Sequence, residues 1–307
     1  MKKTKIPNWT RLATGVAVAA LIFAVPALAD YRLEKTMELA PGGVFDLSAH
    51  TGRISVRGTD RSNVRIVVTA DRDDIEDRFD LTFEELSDRV EVRLRKRGHW
   101  SRSWWTRTRD NLHFDVEVPR RTSLELDTSG GPISARDIEG TADVDTSGGR
   151  IELDNIGGRV RADTSGGSIS ANNLGSDAVL DTSGGSISVE SVAGDVSADT
   201  SGGSIQIRGA AGRIEADTSG GSVTAYFEAG NGAGGSLSSS GGRVTAYVDP
   251  AVALDIEASS SGGGVRVDLP ITVRGKISRN SIRGTLNGGG PLLSLHTSGG
   301  GASLKEL

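Results

Sequence analysis

Residues 145–167 read DTSGGRIELDNIGGRVRADTSGG, which is one complete unit of an 18-residue repeat followed by the start of the next unit. The phrase Asp-Thr-Ser-Gly-Gly occurs six times at this spacing, beginning at Asp127, Asp145, Asp163, Asp181, Asp199 and Asp217. A fixed period of this length is typical of a stacked array in which each unit forms one coil. The repeat therefore predicts a solenoid.

Within each unit the apolar residues follow the period of a β-strand. Counted from the Asp as position 1, they occupy positions 7, 9, 12, 16 and 18. The pairs 7/9 and 16/18 alternate as in a strand with one buried face. Position 2, a Thr in all six units, should also point inward. Gly fills positions 4 and 5 in all six units, and we expect corners there because Gly accepts positive φ.

The spacing of the inward residues also bears on the hand of the coil. A left-handed β-helix requires an inward aliphatic residue at every sixth position, and this set does not provide one. We therefore expect an all-β, right-handed parallel β-solenoid (β-helix) with coils of about 18 residues. Towards both ends of the chain the Asp-Thr-Ser-Gly-Gly phrase becomes degenerate. His50–Val56 resembles a degenerate first coil with His50 in the Asp position, and His296–Gly300 is the last copy.

Residues 1–29 have the pattern of a secretory signal. Four basic residues and no acidic ones precede or flank an apolar run at Val16–Leu28, and cleavage is predicted between Ala29 and Asp30. The protein is thus expected to be exported to the periplasm, the cell envelope or the medium. Loss of the four basic residues changes the net charge from −5 to −9, which disfavours nucleic acid as a partner. The chain has no Cys, hence no disulfide framework.

The rest of the chain divides into three predicted parts. Residues 30–126 form an irregular β-rich N-terminal part, residues 127–234 form six regular coils, and residues 235–307 form degenerate coils and a C-terminal cap.

Three phrases outside the regular coils carry a family resemblance. They are HTGRISVRG at His50–Gly58, VEVPR at Val116–Arg120 and GGPLLSLHTSGG at Gly289–Gly300. Together with the coils, they resemble the bacterial family of unknown function labelled "putative adhesin". The resemblance implies an envelope or secreted β-solenoid and carries no functional residues with it.

The six Asp residues should form a column, with like charges about 4.8 Å apart in neighbouring coils. One interpretation is a structural turn ladder, in which each carboxylate accepts the N–H of the following Ser or Gly. The other is Ca²⁺ shared between coils. The nine-residue spacing of known calcium-binding solenoid repeats is absent, which favours the turn ladder without metal.

Aromatic and cationic residues are concentrated in one short segment between predicted strands. The candidate partner-binding residues there are Trp100, Trp104, Trp105, Arg95, Arg97, Arg102 and Arg107. They could bind an anionic glycan, lipopolysaccharide or an acidic membrane surface. Alternatively, the Trp residues cover an open end of the core while the Arg residues pair with the acidic segment 71–88.

The sequence has no signature of a catalytic site. The four His residues show no metal-ligand spacing, and there is neither a Cys nucleophile nor a Gly-x-Ser-x-Gly elbow. We therefore expect a non-enzymatic protein without a cofactor, acting as an adhesin, scaffold or binding module. The alternative is a polysaccharide lyase or hydrolase, because β-helices also carry these activities.

Overall fold

The computed structural model describes residues 31–97, 111–273 and 278–307. Their regular secondary structure is all strand apart from one helical turn, α1 (Ile75–Arg78). The strands before the regular repeat are β1 (Tyr31–Glu38), β2 (Val44–Ala49), β3 (Arg53–Thr59), β4 (Asn63–Ala70), β5 (Phe79–Glu85), β6 (Arg89–Lys96) and β7 (His113–Pro119).

The regular repeat contributes two strands to each coil. These strands are β8 (Ser123–Thr128), β9 (Ile133–Ile138), β10 (Ala142–Thr146), β11 (Ile151–Ile156), β12 (Val160–Thr164), β13 (Ile169–Leu174), β14 (Ala178–Thr182), β15 (Ile187–Val192), β16 (Val196–Thr200), β17 (Ile205–Ala210), β18 (Ile214–Thr218) and β19 (Val223–Phe227). The C-terminal strands are β20 (Gly235–Ser239), β21 (Val244–Val248), β22 (Leu254–Ser260), β23 (Val265–Val267), β24 (Thr272–Val273), β25 (Ser281–Leu286), β26 (Leu292–Thr297) and β27 (Ala302–Glu306).

The strands form two long sheets that face each other across one core. Sheet A has 13 strands in the order β1-β4-β7-β3-β9-β11-β13-β15-β17-β19-β21-β27-β23. Sheet B has 14, in the order β24-β25-β22-β26-β20-β18-β16-β14-β12-β10-β8-β2-β6-β5. Each regular coil gives one strand to each sheet, and its strands pair in parallel with those of the next coil. The predicted all-β parallel solenoid is confirmed.

The repeat keeps strict register, so each position forms a column along the array. Asp145 pairs with Asp163, and Ile151 with Ile169. The five predicted inward positions are buried, as the second coil illustrates: Ile151, Leu153, Ile156, Val160 and Ala162 are all at most 1% exposed. Small aliphatic side chains suit this core because the two sheets face each other across a narrow gap.

A left-handed residue at position 11 explains the three-residue step between the inward positions 9 and 12. This column contains Asp137 (φ 61°), Asn155 (57°), Asn173 (53°), Ser191 (57°) and Gly209 (66°). Asn, Asp and Gly tolerate this conformation best. The single left-handed residue breaks the strand alternation, so position 12 returns to the core.

Both the first and the last coil in sequence lie inside the stack. The β2–β3 coil lies between the β6–β7 and β8–β9 coils, and the β26–β27 coil lies between the β20–β21 and β22–β23 coils. The expectation that these two coils end the array is therefore wrong. At one end, β4 and β1 in sheet A and β5 in sheet B add antiparallel; at the opposite end, β25 and β24 add antiparallel to sheet B, while sheet A ends in the parallel strand β23.

The predicted position of His50 is also wrong. Ser48 pairs with Asp127 and so occupies the Asp column, while His50 lies two residues further on at the corner. His296 does occupy this column, because it pairs with Ser238, which in turn pairs with Asp217.

Candidate functional site

The corner after each Asp is held by the Thr at position 2. The Thr182 hydroxyl donates to the carbonyl of Gly167 in the preceding coil (2.8 Å) and accepts the N–H of Gly185 in its own coil (3.2 Å). The same pair of bonds recurs at Thr146, Thr164, Thr200 and Thr218. All six Thr side chains are buried, as predicted from the alternation. Each hydroxyl thus joins two coils.

The Gly at position 5 is required for space rather than for positive φ, which neither it nor the Gly at position 4 adopts. A Cβ at Gly185 would lie 1.8 Å from the carbonyl oxygen of Gly167, whereas a Cβ at Gly184 would meet nothing closer than 3.6 Å. The predicted reason for the glycines is therefore wrong. Successive coils approach too closely at position 5 to admit a side chain.

The Asp column is not a turn ladder. Among the described residues, none of its six carboxylates accepts a backbone N–H. Asp163 instead binds Arg161 (2.6 Å), and Asp127 accepts the Ser48 hydroxyl (3.1 Å). The predicted turn hydrogen bonds are made by the Thr hydroxyls, because position 2 points into the corner while position 1 points outward. The column comprises Asp127, Asp145, Asp163, Asp181, Asp199 and Asp217.

Carboxylates cap the other corner of the coil, a role that the sequence analysis missed. Asp177, at position 15, accepts the backbone N–H of Asp195 (3.1 Å), which in turn accepts that of Arg213 (2.7 Å). Arg159 binds Asp177 (2.7 Å) and lowers the pKa of its carboxyl. The spacing of Asp177 and Asp195, again 18 residues, could have indicated this ladder.

The Asp column lines an open groove of about 390 Å³ along sheet B. Partial burial, followed by repulsion from neighbouring carboxylates, raises the pKa of Asp145, Asp181 and Asp199. The groove is strongly polar and acidic. It contains no group of three or more potential ligands suited to a metal ion within the described residues.

A second groove of about 370 Å³ continues the first towards the N-terminal end. At its base the carboxylate of Asp46, 8% exposed, binds both Arg93 and Arg89 (2.9 Å). Arg89 also holds Glu125 (2.7 Å). The two guanidinium groups pair the buried carboxylate, which would otherwise be costly to bury, and they link β6 to β2 and, across β2, to β8.

Most of the predicted partner-binding cluster lies outside the described residues, namely Trp100, Trp104, Trp105, Arg102 and Arg107. The predicted cleavage site at Ala29 and Asp30 also lies outside them. Arg95 and Arg97 are described and exposed. Arg97 binds Asp80 (2.6 Å) and donates to the Glu76 carbonyl (2.6 Å). Arg97 therefore pairs with the acidic segment 71–88, as the alternative interpretation of this cluster predicts for its Arg residues.

The sequence analysis also missed a pair of Tyr residues on the outer face of sheet A. The phrase Val-Thr-Ala-Tyr occurs at Val223–Tyr226 and again at Val244–Tyr247, in strands that pair in register. The two rings stack with their centroids 4.8 Å apart and their planes 8° from parallel. The repeated phrase was the available signal.

The model of the Toastrack (DUF4097) family matches residues 45–304 of the chain. The chain belongs to the Toastrack family. The matched region includes almost all of the β2–β3 and β26–β27 coils, which lie inside the stack. The family model therefore covers nearly the whole solenoid and not only its regular repeats. The predicted resemblance is confirmed.

Solved structures similar to this Toastrack chain share little sequence with it. A "putative adhesin" from Parabacteroides distasonis is 11% identical, with 90% of this chain and 97% of that chain covered and a TM-score of 0.43. A "putative adhesin" from Bacteroides fragilis is 11% identical (91% and 99% covered, TM-score 0.39). A "putative lipid binding protein" from P. distasonis is 11% identical (90% and 96% covered, TM-score 0.36). No curated protein matches the chain.

The described part of the Toastrack chain contains no helix of the length and apolar character that crossing a bilayer requires.

Proposed function

We propose that this Toastrack protein is a non-enzymatic binding module exported to the cell envelope, where its solenoid presents outward-facing columns of side chains to a partner. The observation that carries the proposal is the Asp column. The coils are held together by the buried Thr hydroxyls and by the carboxylates at position 15. The outward Asp column contributes no backbone capping, and partial burial, followed by mutual repulsion, raises the pKa of three of its carboxyls, so stability does not account for it.

Export is supported by the basic and apolar pattern of residues 1–29. The names of the similar solved structures, adhesins and a lipid binding protein, are compatible with a binding role at the envelope. The Trp and Arg cluster at 95–107 stays a predicted contact for an anionic glycan, lipopolysaccharide or membrane surface. Arg97 would contribute to it only after losing its contact with Asp80.

A polysaccharide-cleaving enzyme is the second candidate, and one observation favours it. Neighbouring carboxylates such as those of Asp181 and Asp199 belong to strands about 4.8 Å apart, which is near the separation of about 5 Å in retaining glycosidases. However, the spacing repeats along the whole column, and the corner beside it has only four residues between strands, as in Ser147–Arg150. Such a corner builds no wall around a cleft.

The test is retention of the mature chain, Asp30–Leu307, on isolated envelope material and on a glycan array. Two variants are compared with the unaltered protein: Asp163→Asn/Asp181→Asn/Asp199→Asn, and Trp100→Ala/Trp104→Ala/Trp105→Ala. Saturable retention that at least one variant loses, with the β-rich circular dichroism preserved, is the expected result. The absence of retention by the unaltered protein would overturn the proposal. Release of reducing sugar from any bound glycan would establish the enzyme instead.

A further inference from the structure

The outer face of sheet A carries a row of cations and aromatic rings at its C-terminal third. The Arg208 guanidinium lies 4.2 Å from the centre of the Tyr226 ring, Tyr226 stacks on Tyr247, and the Lys305 ammonium lies 5.5 Å from the centre of the Tyr247 ring. These residues come from β17, β19, β21 and β27, which are consecutive in the sheet. Register therefore fixes the order cation, ring, ring, cation.

Two further cations flank this row. Arg243 directly precedes β21, and Arg266 of β23 pairs with Ser303 of β27; both are exposed. We name Arg208, Tyr226, Arg243, Tyr247, Arg266 and Lys305 the cationic patch. It extends over five adjacent strands, or roughly 19 Å at the usual strand spacing.

The four cations of the patch have no carboxylate partner within 4.0 Å among the described residues. The nearest carboxylates along the chain and register are those of Glu190, in register with Arg208 one coil earlier, of Glu306, next to Lys305, and of Glu228, Asp249 and Asp268, just beyond strand ends. By contrast, Arg161 and Arg213, near the Asp column, both bind carboxylates. The cationic patch is thus available to an external anion.

The chemistry of the patch favours a polar ligand over a lipid surface. The facing sides of the two rings are covered by each other and their outer sides by the cations, so the rings present their edges and hydroxyls. The other outward residues on these strands are Gln206, Thr224 and Ser303, while Thr245 is buried. A membrane-binding face would instead carry exposed apolar side chains.

We propose that the cationic patch binds an anionic polysaccharide laid across the strands of sheet A. Guanidinium and ammonium groups would bind its carboxylate or phosphate groups. The hydroxyl and amide side chains between them would hydrogen-bond its sugar hydroxyls. The acidic columns of sheet B would repel the same polymer, so binding is confined to one face. This inference rests on the proposed binding function and adds to the Asp column a second surface, on the opposite sheet, with a partner class of its own.

The experiment measures binding of the mature chain to polygalacturonate, to its fully methyl-esterified form and to anionic lipid vesicles. The test variant is Arg208→Gln/Lys305→Gln. The matched control is Arg161→Gln/Arg213→Gln, which removes the same charge from exposed side chains beside the acidic groove. Thermal midpoints are recorded for both, and both should stay folded because all four side chains point outward.

We expect binding to polygalacturonate, none to the ester, and weakening with salt, because exposed charges are screened. The test variant should bind about tenfold more weakly, since charge-assisted contacts are lost, while the control variant binds as before. Equal weakening by the control variant, equal binding of the ester, preference for vesicles, or no binding to polygalacturonate would each overturn the assignment. If polygalacturonate binding is unchanged in the test variant while envelope retention is still lost in the Asp or Trp variant, this surface is wrong and the proposed function survives. If the unaltered chain is not retained at all, the proposed function itself fails.

Discussion

The two adjacent glycines of each corner should respond in opposite ways to the same substitution. In Gly185→Ala the new methyl group would start 1.8 Å from the carbonyl oxygen of Gly167 and 2.4 Å from its carbonyl carbon. Real Cβ atoms essentially never come within 3.0 Å of such atoms, so the coils must separate by more than 1 Å at this point. The Thr182 hydroxyl, bonded to both Gly167 and Gly185, opposes that separation.

We expect Gly185→Ala to lower the free energy of unfolding by roughly 3 kcal/mol or more, at the upper end of the range for overpacking, because backbone rather than a flexible side chain must move. In Gly184→Ala the nearest atom is 3.6 Å away, an ordinary contact, and the φ of Gly184 is not positive. Ala then restricts only the unfolded chain, so this variant should be neutral or more stable by about 0.5 kcal/mol.

Urea denaturation of the mature chain, followed by circular dichroism, measures both variants. Both glycines occur in all six regular coils, so the repeat itself does not predict a difference between them. Similar losses in the two variants would show that the corner needs Gly for its backbone conformation. The close approach at position 5 would then not be the reason for the residue.

Three further outcomes can be measured on the same protein. Thr182→Val should cost roughly 1–3 kcal/mol, because it leaves a partly buried carbonyl and N–H without the hydroxyl, while Thr182→Ser should recover most of the loss; equal losses would contradict the hydroxyl's role. Asp181→Asn should raise the thermal midpoint at pH 7, because a pKa raised by folding means that the ionised carboxylate is less stable in the folded state. This gain should disappear as the pH falls below the pKa of the unfolded carboxyl, and a gain independent of pH would argue against it. Ile187→Ala should cost about 2–4 kcal/mol, whereas its outward neighbour Ser188→Ala should stay within about 0.5 kcal/mol; a small effect of the first would contradict the coil register.

The periodic part of the fold could be predicted because each coil meets nearly the same environment. Inward positions, strand pairing and the burial of the Thr column follow from the 18-residue spacing alone. The left-handed position 11 was harder to predict, since Asp137, Asn155, Asn173, Ser191 and Gly209 share a conformation but not an identity.

The candidate site was predicted less well for a physical reason. An Asp beside Ser and Gly has the local pattern of a turn cap, but strand alternation directs the carboxylate outward and gives the corner to Thr. The local pattern predicts that Asp caps the turn, whereas the strand alternation predicts that its side chain points outward. The alternation determines the direction of the side chain because pairing with the neighbouring strands of the sheet fixes it. The Tyr pair was missed because its two copies are 21 residues apart, outside the regular spacing.

The position of the β26–β27 coil has a consequence for biosynthesis. A ribosome delivers β22, β23 and β25 before this coil exists, yet in the finished protein the coil separates them from β20 and β21. Until β26 and β27 are in place, the strands on either side of this coil have unpaired edges in both sheets. The C-terminal strands can therefore complete their native pairing only after residues 292–306 have been supplied. A chain cleaved or stalled before Leu292 would expose these edges to any strand of matching register, including the same segment of another molecule.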